Sequence, residues 1–255
     1  MISFFRKIRQ RLLQENRASR YLVYAIGEIA LVMVGILLAL QVNNWNEDRK
    51  IRIAEQRILQ NLRTELILNI KNLETDISYH ELAHACSFQL LNLFGTDIST
   101  IPSTTLDTLL FNAETVYTFE VRNGYIKSLI ASGNLDYLRN EKLKSRLTSF
   151  EGEVVDGLEE FDVVKSLIIN RLWPTIDGKI SSSNRILADG EYKDFPKGFY
   201  TSDYHWFFEN RVIEDIISNV DSWRIDGIND EKALLDFFNE LLQIIDEEID
   251  SNTKS

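Results

Sequence analysis

Residues 22–40 read LVYAIGEIALVMVGILLAL. Glu28 is the single charged position in these 19 residues, and eleven of the others are Leu, Ile or Val. As an α-helix rising ~1.5 Å per residue the run spans roughly 28 Å, close to the ~30 Å hydrocarbon core of a bilayer. Its eleven Leu, Ile and Val residues contribute roughly −3 to −7 kcal/mol to insertion, and a central carboxylate opposes this by ~3 kcal/mol. The favourable sum predicts a transmembrane helix over residues 21–42.

The flanks orient it. The chain carries 28 Lys and Arg against 39 Asp and Glu, a net charge of −11. That average is uneven: residues 1–20 sum to +5, residues 21–45 to −1 and residues 46–255 to −15. A basic head, an apolar run and an acidic body form the layout of a membrane-anchored protein. The positive-inside rule puts residues 1–20 in the cytoplasm and residues 46–255 beyond the membrane. Arg6, Lys7, Arg9 and Arg11 on one side, with Tyr21 and Trp45 at the two interfaces, are the expected anchors. Phe4, Phe5, Ile8, Leu12 and Leu13 fall near one helical face among those bases. Residues 1–20 therefore read either as a basic amphipathic helix on an anionic leaflet or as a simple positive-inside signal. Ala39-Leu40-Gln41 is a poor cleavage site, so the run is expected to remain as an anchor. The acidic body argues against nucleic acid as a main partner. The lone cysteine, Cys86, cannot form an intrachain disulfide.

Within the membrane run, Glu28 is the residue with potential function, since an intramembrane carboxylate is costly to keep. Gly27 beside it and Gly35-x-x-x-Ala39 beyond it permit close approach of a second helix, from another membrane protein or another copy of the chain. The alternatives are a protonated or snorkelling carboxyl, or a proton relay.

The whole chain has only 3 Pro and 11 Gly, which favours helices over a β-sandwich or a disordered tail. Ile51, Ala54, Ile58, Leu62, Leu66, Ile70, Leu73 and Ile77 recur every ~3.7 residues, the mark of a long, nearly straight amphipathic helix. It is expected to stop near Gly95, and Asn43, Asn44 and Asn46 offer a hinge between it and the membrane run. Thr104-x-x-Asp107 resembles a capping box. A short helix over about 125–132 should end at Gly133, and Asn140 should cap a long helix that Pro174 ends. Residues 175–201 read as a long loop. Two more helices, about 203–222 and 230–250, complete the pattern. The expected fold is all-α: one transmembrane helix over 21–42, then a bundle of antiparallel helices over 46–255 with a long amphipathic first helix.

The segments Phe4–Arg9, Tyr24–Ile29 and Gly35–Asn46, with the later Leu129–Leu135 and Asn140–Leu143, carry a resemblance. They are similar to an uncharacterised bacterial membrane-anchored family, domain-of-unknown-function family 6090. The likeness covers the whole chain and is most specific over residues 4–46. It implies a Gram-negative inner-membrane protein with a helical periplasmic part, and it carries over no catalytic residues.

One motif carries chemistry. His80-Glu81-Leu82-Ala83-His84 matches H-E-x-x-H, which on a helix lets two His share a zinc ion while the Glu activates bound water. Against it, Ser87 stands where the extended motif needs Gly, no His completes that extended motif, and nothing selects a third ligand among Glu114, Glu120 and His205. The alternative is that His80 and His84 are polar positions on the bundle helix. No cofactor is expected. The sequence therefore reads as a non-enzymatic interaction or envelope accessory protein, with a membrane-bound zinc metallohydrolase using His80, Glu81 and His84 as the alternative.

Overall fold

The computed structural model describes residues 17–188, 190, 192 and 194–254. The expected interfacial anchors Arg6, Lys7, Arg9 and Arg11 lie outside the described residues. Among those described, the fold is helical without strands. α1 spans Arg17–Leu91, α2 Ser103–Glu114 and α3 Gly124–Ala131. α4 spans Glu141–Asp156 and α5 Glu159–Leu167, and a π-helical turn over Ile168–Leu172 leads into α6, Trp173–Ile176. α7 is Ser182–Ala188, α8 is Tyr204–Phe208 and α9 is Arg211–Lys254. The chain divides into two compact units between Gln56 and Arg57.

In the first unit α1 is helical through Asn43, Asn44 and Asn46, so the expected hinge is regular backbone. α1 holds a stretch long and apolar enough to cross a membrane, and none of that stretch is buried. Leu31, Val32, Leu37 and Leu40 are all more than half exposed, as are Tyr21 and Trp45.

The second unit is built around α9. Arg63 meets Asp246 at 2.7 Å, His80 meets Glu231 at 2.9 Å and His84 meets Asp221 at 2.9 Å. Ascending numbers on α1 meet descending numbers on α9, so the two run antiparallel. The same holds for α4 and α5: Asn140 reaches Glu248, Lys142 reaches Glu240, Phe150 stacks on Phe238 and Phe161 lies against Gly227. α9 is thus the shared antiparallel partner of the bundle.

Several boundaries follow the expectations. α1 unwinds before Gly95, and Gly133 follows α3; both glycines take φ near +70°, a region other residues enter at a cost. Asn140 accepts from the Leu143 amide at 3.0 Å and caps α4.

Others differ. The break expected between the two C-terminal helices is absent, since α9 runs unbroken through Gly227, while the start of the first expected helix is the separate α8. A Cβ at Gly227 would stand 2.8 Å from Phe161 Cε2, so the missing side chain lets α5 approach. Conversely, the expected long helix after Asn140 breaks at Gly157, where a Cβ would press on Leu234 at 3.0 Å. Pro174 does not end a helix; it sits in the first turn of α6, where its lacking N–H is no loss. Thr104 caps nothing, and Asp107 turns inward to accept from the Tyr204 hydroxyl at 2.6 Å. The segment read as a loop contains α7.

The core falls into two apolar clusters. One holds Ile58 to Ile77 of α1, Leu143 to Val154 of α4 and Leu234 to Ile245 of α9. The other holds Cys86 and Leu90 of α1, Leu106 and Leu110 of α2, Phe161 to Ile180, and Ile213 to Ile228 of α9. Where the two clusters meet, α1 and α9 carry buried polar side chains, and these form the candidate site.

Candidate functional site

The polar residues at and beside the junction of the clusters are His80, His84 and Ser87 on α1 with Asp221, Arg224 and Glu231 on α9. Helical spacing brings them inward. On α9, Val220, Arg224, Ile228, Glu231 and Leu234 follow one stripe, so Arg224 and Glu231 occupy core positions although they are charged.

His80 is buried, with both ring nitrogens engaged. Nε2 lies 3.2 Å from the Tyr117 carbonyl and Nδ1 lies 2.9 Å from Glu231 Oε2. A carbonyl only accepts, so Nε2 carries a hydrogen. The second hydrogen lies between Nδ1 and Oε2, whichever atom holds it. Phe161 stacks on the imidazole with centroids 3.8 Å apart. Burial pushes the Glu231 carboxyl above the usual carboxylate range, and the bond to His80 partly opposes this.

Arg224 is fully buried and donates to Ser87 Oγ and to the Ala113 carbonyl, both at 2.7 Å. Asp221 stands 3.9 Å from it and also accepts from His84. Burial pushes the guanidinium down to about 10, with Asp221 pulling the other way. Burial likewise raises the Cys86 thiol, against the opposing charge of Arg224. A charge buried this deeply is costly unless satisfied. The Ala113 carbonyl, the Ser87 hydroxyl and the nearby Asp221 charge offset part of that cost, while the buried Nε has no acceptor among the described residues.

The H-E-x-x-H residues therefore diverge. His80 pairs with Glu231, His84 with Asp221, and Glu81 lies half-exposed with Lys232 at 2.6 Å. Each of the three meets a different residue of α9. Glu114 is engaged by Arg185 and by Trp173 Nε1 at 3.0 Å, while Glu120 and His205 are on the surface. Among the described residues no group of three His, Cys, Asp or Glu is placed to hold a metal ion.

A pocket of about 310 Å³ opens beside the His80–Glu231 pair. It lies where Gly157 interrupts the passage from α4 to α5, between Val155, Leu158 and Asp162 on one side and the extended residues Tyr117–Phe119 on the other. Asn69 fixes that extended segment to α1 by exchanging two hydrogen bonds with the Arg122 backbone, at 2.7 and 2.8 Å. A second cavity of about 390 Å³ lies between α2 and α7, walled by Thr104, Asp107, Asn184, Lys197 and Ser202.

In the first unit Gly27, Glu28, Gly35 and Ala39 are all exposed. At 100° per residue Glu28, Gly35 and Ala39 share a face, and Gly27 lies off it. A Cβ added at Gly27 or Gly35 would meet nothing within 4 Å.

Glu231, Asp221 and Arg224 are the site residues that sequence reasoning did not single out. The available signal was charge on the apolar stripe of α9. It was hidden because the stripe reads as two helices, about 203–222 and 230–250, with a break expected between them. No family model, no curated protein and no solved structure matches this chain.

Proposed function

We propose that the chain is a single-pass inner-membrane protein that presents a periplasmic helical bundle to a protein partner or to another copy of itself. The observation that carries this reading is the exposed apolar surface of α1. From Ile26 to Val42 every large apolar side chain of the run is at least half exposed. A contiguous apolar surface of that extent needs lipid or protein around it. The basic head fixes the orientation with residues 1–20 cytoplasmic, and the likeness of residues 4–46 to domain-of-unknown-function family 6090 supports the Gram-negative setting. Glu28, Gly35 and Ala39, sharing one face, are the contact for a neighbouring membrane helix. The role is non-enzymatic, in envelope assembly or as an accessory to another membrane protein.

Fractionation and crosslinking of the full chain test this. Expected are retention in the membrane after alkaline carbonate washing and a protease-accessible bundle only on the periplasmic side. A photo-crosslinker at Ala39 should capture a defined membrane protein or a dimer, and Glu28→Ala should reduce that product. Release by carbonate, or capture independent of Glu28, would sink the respective parts of the reading. Metal analysis of the same purified chain separates it from a zinc hydrolase, which requires stoichiometric zinc lost on replacing His80 or His84.

A further inference from the structure

We propose that the pocket at the α4–α5 break binds a primary ammonium carried on a small apolar body. The inference is independent of the membrane reading and rests on the second unit alone.

It starts from Glu231. Its side chain is 0% exposed and lines the pocket together with buried His80. Oε2 is taken by His80 Nδ1, but Oε1 has no donor among the described residues. The shared hydrogen between Nδ1 and Oε2 does not change this. With the hydrogen on Nδ1, Oε1 belongs to a carboxylate; with it on Oε2, Oε1 is a carbonyl oxygen. Either way it accepts and cannot donate. A buried acceptor left unmatched costs free energy, so the site favours a guest that brings a donor.

The walls define the rest of the guest. Glu159 and Asp162 add two carboxylates at the pocket, against the single cation Lys165. These two stand in the first turn of α5, where they also offset unpaired amides. Glu231 comes from α9 and has no such role. Tyr117, Phe119 and Phe161 supply aromatic surface, and Val154, Val155 and Leu158 aliphatic surface. Carboxylates among aromatic rings favour an organic cation over an anion. A volume of about 310 Å³ is at the small end of ligand sites and suits a single-ring amine.

The test is calorimetric titration of the full chain in lipid nanodiscs, with empty nanodiscs subtracted. Three probes share one ring and differ in the end group: 2-phenylethylamine, 2-phenylethanol and phenylacetate. The amine is expected to bind at least ~10-fold more tightly than the alcohol, the ratio a charge-assisted hydrogen bond supplies, with phenylacetate weakest. Glu231→Gln should abolish the preference for amine over alcohol while leaving the alcohol affinity in place. Should that variant fail to fold, Asp162→Asn at the exposed rim should narrow the same ratio. Equal binding of amine and alcohol, tighter binding of phenylacetate, no saturable binding of the amine, or a preference that survives both substitutions would each overturn the proposal.

Discussion

Within α1, residues 22–42 and residues 58–90 place apolar side chains by opposite rules. In the first stretch nearly every position is apolar and all described side chains are exposed. In the second, apolar residues recur at helical spacing, and Ile58, Leu59, Leu62, Leu66, Leu73 and Ile77 are buried while Ile67, Leu68 and most of the polar positions between them face outward. Periodicity therefore reports packing against other helices of the same chain, and its absence marks a stretch that no other described helix covers. Hydrophobicity alone would have ranked the two stretches the wrong way round for burial.

A crossed pair of substitutions puts the largest load on this contrast. Phe238→Ala removes a fully buried ring from the apolar cluster that holds Ile58 to Ile77 and should cost about 3–5 kcal/mol in denaturant unfolding, with membrane insertion unchanged. Leu31→Arg should cost about 2.5–3.5 kcal/mol of insertion, read as loss from the membrane fraction, with bundle unfolding unchanged. A shift of both readouts by either substitution breaks the separation.

Next in size is Glu231→Gln. Leaving His80 with a poorer partner should cost about 1–3 kcal/mol. The substitution also changes the pH profile. Burial makes the folded chain hold the Glu231 proton more tightly than the unfolded chain does. The resulting stabilisation is complete below the ordinary carboxylate range and is lost as pH rises through the raised value. Wild-type denaturation midpoints should decline over that window, and the variant should lack this part of the decline.

Gly227→Ala should cost about 1–2 kcal/mol, because the added methyl meets Phe161, whose ring is held against His80. A stabilised variant, as helix propensity alone would give, would show that α5 and α9 have room to move apart. The smallest effect belongs to the centre of the sequence motif. Glu81→Ala breaks only a half-exposed pair with Lys232 and should shift stability by less than about 0.5 kcal/mol.

The all-α class, the apolar run, the stripe of α1, the Asn140 cap and the stop at Gly133 were legible because each rests on local chemistry. The errors concern residues whose role is set by a distant neighbour. Gly227 and Gly157 look alike in sequence; one continues a helix and one interrupts it, and both are glycine because another helix comes close. Asp107 was read as half of a cap three residues away, whereas its partner, Tyr204, lies 97 positions on. The site was half legible. His80 and His84 stood out as a pair, but each is defined by a carboxylate on α9 more than 130 positions later. Spacing along one helix reveals which side chains share a face; it does not reveal whether that face meets a metal or a second helix.

The polar layer between the two apolar clusters also bears on how the bundle opens. Cooperative units are held together by continuous apolar contact, and here one cluster gives way to the other on α1 between Ile77 and Cys86 and on α9 between Ile228 and Leu234. Amide exchange along α9 should therefore show a step in protection across that interval. Residues 213–220 would exchange with the opening of one cluster and residues 234–245 with the other, so that a single unbroken helix reports two separate melting events.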